Sequence, residues 1–256
     1  MALGLTGCQL NNSSKPDSSP GKGLSTMSAA IYVQAAPGSF NHQAITQLYQ
    51  NHSHEGPAFI FSGTPLKTFE QAWKNSAEAF VALRNDLISG HLVKATVEAI
   101  QEYRVIDVTD SISLPIEMCL LRTRKSVNQK QSLQVIISHP AALGQITQWK
   151  KGKNLEELQE PDGTSIAAKR LAEGKLSERT GAIGPCLLEN LYPSLIVVEK
   201  GIQDSADNTT LFGQLKVEKR EAPIPEDVAR RELSEVIKKA RAKAVKYRTL
   251  PFGLRE

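Results

Sequence analysis

The tightest constraint on the fold is an alternation of two periods along the chain. Between Ile31 and Glu218, short apolar runs are separated by stretches whose apolar residues recur three and four apart. A short apolar run suits a strand covered on both faces, whereas the second spacing suits a helix with one buried stripe. Strands are expected at Ala30–Val33, Phe80–Leu83, Val105–Val108, Leu114–Leu121, Leu133–Ile137, Ala182–Ile183, Leu195–Glu199 and Thr210–Val217. Helices are expected over Asn41–Gln50, after a Thr68 cap through Phe69, Ala72 and Trp73, and around Val93, Thr96, Val97 and Ile100. Three more follow: from Ser138-His139-Pro140 to about Trp149, over Ala167–Glu173, and over Leu187–Tyr192. Strands alternating with helices predict an α/β architecture with substantial parallel sheet.

In such sheets ligands sit at the carboxyl ends of strands, where helix N-termini aim backbone N–H groups at anions. Gly38-Ser39, Ser138-His139 and Gly163-Thr164 each place a small residue or a hydroxyl at the start of a helix. Each hydroxyl has two readings, a cap for its own helix or a cradle for a carboxylate or phosphate. The three together make a small-anion site.

Composition narrows the function classes. No apolar run approaches the roughly 18 residues of a membrane-spanning helix. Seven Phe, five Tyr and two Trp are few for a base-stacking platform, and no nucleic-acid partner is expected. Cys8, Cys119 and Cys186 are odd in number and far apart, which predicts neither a disulfide framework nor a metal site. His52 and His54 share a loop but lack a third ligand at useful spacing, so no metal is expected. Gly-rich nucleotide loops are absent, and no cofactor is expected.

The two ends stand apart from this body. The chain has 31 basic and 27 acidic residues, and the resulting +4 resides entirely in 226–248. Leu233, Ile237, Ala240 and Ala244 recur there at helical spacing, which predicts a helix packed on its own domain with a solvated Lys/Arg side. Residues 11–23 have almost nothing to bury and read as a tail or tether. Leu5-Thr6-Gly7-Cys8 resembles the lipobox of bacterial lipoproteins, in which the Cys carries the lipid. Only seven residues precede it, however, with no charged start and no apolar leader core. Two localisations follow: cytoplasmic if Met1 or Met27 is the start, or membrane-anchored through a lipid on Cys8.

Six words, in order over about 190 residues, resemble the catalytic domain of prephenate dehydratase. The family's Gly-Pro-x-Gly-Ser-Phe-Ser-x-x-Ala stands here as Ala35-Ala36-Pro37-Gly38-Ser39-Phe40-Asn41-His42-Gln43-Ala44. Its Leu-Pro-Ile strand is Leu114-Pro115-Ile116, and its Ser-His-Pro-Gln-Ala-Leu-x-Gln is Ser138-His139-Pro140-Ala141-Ala142-Leu143-Gly144-Gln145. Its Ser-Thr-x-x-Ala-Ala is Gly163-Thr164-Ser165-Ile166-Ala167-Ala168, and its Ala-Ala-Ile-Gly is Gly181-Ala182-Ile183-Gly184. The last is Ile202-Gln203-Asp204 with Asn208-Thr209-Thr210-Leu211-Phe212, where the family has Asn-x-Thr-Arg-Phe. The resemblance implies two α/β lobes of the type II periplasmic-binding-protein-like kind, with a ligand cleft between them over 29–218. A tail (1–28) and a linker with a basic helix (219–256) flank it, and 38 residues after Glu218 are too few for the family's phenylalanine-sensing ACT domain.

The implied activity is a lyase reaction of phenylalanine biosynthesis, loss of carbon dioxide and hydroxide from prephenate to give phenylpyruvate. It implies Thr210 as the catalytic residue and Ser39, Asn85, Ser138, His139, Thr164 and Phe212 as substrate-binding residues, with a homodimer as the assembly; Arg84 joins the substrate-binding candidates as this chain's own, outside the family pattern. Two departures stand out. Leu211 replaces the family's Arg, and Ala82-Leu83-Arg84-Asn85-Asp86 replaces Pro-Ile-Glu-Asn-Ser. Arg84 either clamps a carboxylate in place of the lost Arg or is an ordinary surface residue. Thr210-Leu211-Phe212-Gly213 is also similar to the non-aromatising prephenate decarboxylases, which release carbon dioxide and keep the ring hydroxyl. Two alternatives remain, a solute-binding lipoprotein using the same cleft and an interaction module that acts through the basic C-terminal helix.

Overall fold

The computed structural model describes residues 30–50, 56–87 and 91–246. Cys8, Met27, the 11–23 stretch, His52, His54 and Arg248 lie outside the described residues. The chain first builds most of one lobe: β1 (Ala30–Gln34), α1 (Phe40–Tyr49), β2 (Ala58–Gly63), α2 (Pro65–Lys74), β3 (Glu78–Asn85), α3 (Lys94–Glu102) and β4 (Tyr103–Pro115). It then crosses into a second lobe. This comprises β5 (Met118–Thr123), α4 (Arg124–Asn128), β6 (Val135–Ser138), α5 (Pro140–Leu143), α6 (Thr147–Lys150), β7 (Glu156–Gln159), α7 (Thr164–Ala172), β8 (Thr180–Pro185), α8 (Leu188–Leu191) and β9 (Leu195–Lys200). It returns through β10 (Thr209–Lys219), α9 (Glu226–Lys243) and β11 (Val245–Lys246).

The first sheet has the order β11-β4-β10-β3-β1-β2 and the second β7-β6-β8-β5-β9. In both, the strand that follows a lobe crossing runs antiparallel to its neighbours: β10 beside β3 and β4, and β5 beside β8 and β9. The remaining pairs are parallel. Leaving β11 aside, each lobe reads second-first-third-visitor-fourth, which is the type II periplasmic-binding order. The two crossing segments touch, the Ile116 N–H donating to the Asn208 carbonyl at 2.7 Å. One apolar cluster joins the lobes through Val33, Phe80, Met118, Ile136, Ile183 and Phe212. The outer faces are covered by α2, α3 and α9 on one lobe and by α7 and α8 on the other.

Several local expectations need correction. Thr64, not Thr68, caps α2: its hydroxyl accepts the Lys67 N–H, and Thr68 sits one turn inside, donating to the Thr64 carbonyl. The apolar run at Ala58–Phe61 makes strand β2, which the sequence reading passed over, as it did β7. Leu114–Leu121 is not one strand, because β4 ends at Pro115 and β5 begins in the other lobe at Met118. The stretch from Pro140 to Trp149 breaks into α5 and α6. The Asp204 carboxylate forces the restart, accepting the Thr147 and Gln148 N–H groups at 2.8 Å each.

The cysteine expectation also fails. Cys119 and Cys186 form a disulfide across 67 residues, with Cα atoms 5.2 Å apart. The register explains it: Cys119 on β5 faces Gly184 on β8, so Cys186, two residues beyond, is its diagonal neighbour on the same face. The basic C-terminal stretch forms α9, whose Ala229, Leu233, Val236, Ile237 and Ala240 are buried against the first lobe. Its exposed side carries Arg230–Glu226, Arg231–Asp227 and Lys238–Glu235 ion pairs, each worth a few tenths of a kcal/mol.

Candidate active site

A cavity of about 240 Å³ lies between the lobes. The first lobe lines it with Ala35, Ser39, Phe40, Asn41, Ala82, Asn85, Val93, Thr210 and Phe212, and the second with His139, Ala141, Ala142, Gln145, Gly163, Thr164 and Ser165. The crossing segment adds Ile116 and, at its start into β5, Met118. Among the described residues no Asp, Glu, Lys or Arg side chain lines it.

Two helices begin at its walls. Ser39 caps α1 with its hydroxyl oxygen accepting the His42 N–H, and the backbone N–H groups of Phe40 and Asn41 are left without intrahelical acceptors. On the opposite wall α7 starts at Gly163, whose φ of 123° suits glycine and which provides no side-chain cap. Gly38 brings the walls close. With φ at 84°, it lets Leu188 and Leu191 of α8 approach to where a Cβ would stand only 2.6 and 2.9 Å from their methyl groups.

A buried amide chain orients Thr210. Asn85 Nδ2 donates both hydrogens, to Thr210 Oγ1 and to Asn208 Oδ1, each at 2.8 Å. Asn208, fully buried, passes the network to the second lobe by donating Nδ2 to Gln145 Oε1 at 2.6 Å. The Thr210 oxygen is thus an acceptor within the protein, and its own proton is left to donate toward the cavity.

Strand pleat alone would turn Arg84, not Asn85, toward the cleft. A β-bulge reverses this. Phe212 pairs with Ala82 but Leu211 pairs with Arg84, so Leu83 is an extra residue and the alternation shifts by one. Ala82 and Asn85 both face the cavity as a result. Arg84 lies off it, its guanidinium 3.0 Å from Asp86, and Leu211 is buried in the outer core of the lobe. The expected clamp by Arg84 is therefore corrected, and Leu211, which replaces the family's Arg, faces away from the cavity. Ser138 is corrected too: its hydroxyl donates to the Ile183 carbonyl at 2.7 Å, fully buried at the end of β6.

Ser39, Asn85, His139, Thr164, Thr210 and Phe212 are the expected residues that do meet in the cavity. His139 is held as a neutral ring. Its Nδ1 accepts the Ala141 N–H at 3.1 Å, and burial lowers its pKa from the ordinary 6.5. Sequence reasoning missed Asn41, Gln145 and Asn208 as site residues, although all three stand inside words that had been read.

A charge-free cleft walled by helix N-termini and hydroxyls, between two lobes of this strand order, defines a small-molecule site of the two-lobed binding class. The sequence profile of the family described as prephenate dehydratase matches residues 31–220, and the chain belongs to that family. Its fold is similar to prephenate dehydratase of Arthrobacter aurescens in complex with L-Phe, at 22% identity and a TM-score of 0.59, over 77% of this chain and 63% of that one. Prephenate dehydratase of Staphylococcus aureus subsp. aureus Mu50 gives 18% and 0.53, over 73% and 66%. GqqA, described as a novel type of quorum quenching acylase, gives 22% and 0.55, over 77% and 66%. The chain thus spans 66% or less of the length of each. No curated protein matches it by sequence.

Proposed function

We propose that the cleft binds prephenate and carries out its dehydrative decarboxylation to phenylpyruvate. The observation that carries this reading is the Thr210 hydroxyl, fixed by Asn85 with its proton free in a cavity without charged side chains. The N-termini of α1 and α7, on opposite walls, suit the two carboxylates of the substrate. As the ring carboxylate leaves as carbon dioxide, the electron pair of the broken C–C bond completes the aromatic ring and expels the ring oxygen. Thr210 hydrogen-bonds that departing oxygen, which leaves as hydroxide and takes its proton from water. Little further chemistry is needed, because aromatisation drives the step.

The test is incubation of the purified protein with prephenate and identification of products by NMR. Phenylpyruvate is expected, with kcat falling about a hundredfold or more in Thr210→Val, which keeps the shape and removes the proton. A dihydro-hydroxyphenylpyruvate product would instead mean decarboxylation with the ring hydroxyl retained. Binding without either product would leave the cleft as a solute receptor.

A further inference from the structure

We infer that Asn41 is a ligand-binding residue, whose side-chain amide N–H holds a carboxylate at the start of α1. Asn41 is the second residue of that ten-residue helix, is 7% exposed, and lines the cavity. Its Oδ1 is sealed from solvent and has no hydrogen-bond partner. An orphaned buried acceptor destabilises a fold, and an alanine here would remove it. The other end of the amide, Nδ2, has no protein acceptor among the described residues and is not sealed, so in a residue this buried it opens on the cavity. It joins the free backbone N–H groups of Phe40 and Asn41 itself, making a cluster of donors with no cation beside it. Such a cluster selects an anion that takes hydrogen bonds in a plane, a carboxylate of a small organic acid. This inference rests on the reading of the cleft as a carboxylate site, but not on the reaction proposed for it.

Phenylpyruvate is the probe, titrated into wild type, Asn41→Ala, Asn41→Ser and Asn41→Asp, with each apo variant's unfolding midpoint measured. Wild type should bind, and Asn41→Ala should bind roughly tenfold to a hundredfold more weakly, the range for losing one hydrogen bond to a charged group. Its apo midpoint should be unchanged or higher, because the sealed oxygen is gone. Asn41→Ser should fall between, and Asn41→Asp, which sets an acceptor and a negative charge against the ligand, should bind least. Three results overturn the inference: no binding of phenylpyruvate by wild type, equal binding by Asn41→Ala, or a loss of affinity accompanied by a large fall in its midpoint. If wild type makes no product from prephenate while phenylpyruvate still binds through Asn41, the proposed reaction fails and this inference stands.

Discussion

The Cys119–Cys186 bridge gives the most direct test of the fold as described, because its effect can be worked from topology alone. It closes a loop of 67 residues that contains β6, β7, α7 and the whole of β8, which is most of the second lobe, with α8 and β9 outside it. In the chain-entropy account, a cross-link of that span removes freedom from the unfolded state equivalent to about 4 kcal/mol. Cys119 is fully buried on β5, beside Met118 of the cleft, so reduction also leaves its thiol among apolar neighbours. For a domain of this size, that loss should lower the unfolding midpoint by roughly 10 °C. The assay is urea and thermal unfolding with and without reductant, with Cys186→Ser as the non-reducible control. Reductant should shift the wild type toward the variant and leave the variant unmoved. Two titratable thiols at positions 119 and 186 in native, non-reduced protein would refute the pairing, and so would a midpoint indifferent to reductant. A confirmed bridge would also favour an oxidising compartment, and with it the exported, Cys8-anchored alternative over the cytoplasmic one.

Two further outcomes follow from the cleft. Gly38→Ala should destabilise the protein by about 1–3 kcal/mol and weaken ligand binding, because its φ of 84° disfavours a side chain and the added Cβ meets Leu188 and Leu191; unfolding and titration against wild type will show whether both fall together. Stability should decline as pH drops below 6.5, since burial holds the pKa values of both His42 and His139 below that ordinary value. The unfolded state then binds protons that the folded state refuses, so stability is fully present above 6.5 and is lost as pH falls toward the lowered values. Each Nδ1 accepts a backbone N–H, from Gly38 and Ala141 respectively, which protonation would break. Denaturant midpoints between pH 7.5 and about 5 should show this fall, and a flat profile would contradict it.

How much of this could be read from the residues depends on whether a feature is local. β1, α1, β3 and α7 declare themselves through apolar period, with the Ser39 cap marking α1 in addition, and their limits moved by only a few residues. Strand β2 carries the same kind of short apolar run as β3, Ala58-Phe59-Ile60-Phe61, and was overlooked; it lies at the edge of its sheet, so its residues are exposed or half-buried where those of β3 are mostly buried. The orientation of Arg84 and Asn85 was beyond sequence reasoning, because it is set by one extra residue at Leu83 opposite β10, and a bulge leaves no mark in the local pattern. The Cys119–Cys186 pair was likewise invisible, because it follows from the register of β5 against β8. Ser138 shows the opposite error. A hydroxyl at a strand-to-helix handover looks available, but its backbone position at the end of β6 buries it against Ile183.

The bulge also changes which departures from the family pattern matter. Leu211, Arg84 and Asp86 looked like losses from the site, yet none of them lines the cavity. Five other departures do: Ala35 where the family has Gly, Asn41 where it has Ser, Ala82 where it has Pro, Ala141 where it has Gln, and Gly163 where it has Ser. The changes at 141 and 163 remove hydrogen-bonding side chains from the second lobe, one on α5 and one at the start of α7. The change at 41 places an amide on the first lobe, at the start of α1. The second lobe thus has two fewer side-chain hydrogen-bonding groups at these positions, while the first keeps a donor at 41, and Thr210 and its Asn85–Asn208–Gln145 support stay in place. A ligand held in this way would keep its reacting atoms near Thr210 and draw more of its binding from α1, which is why Asn41 is the position at which affinity should respond most.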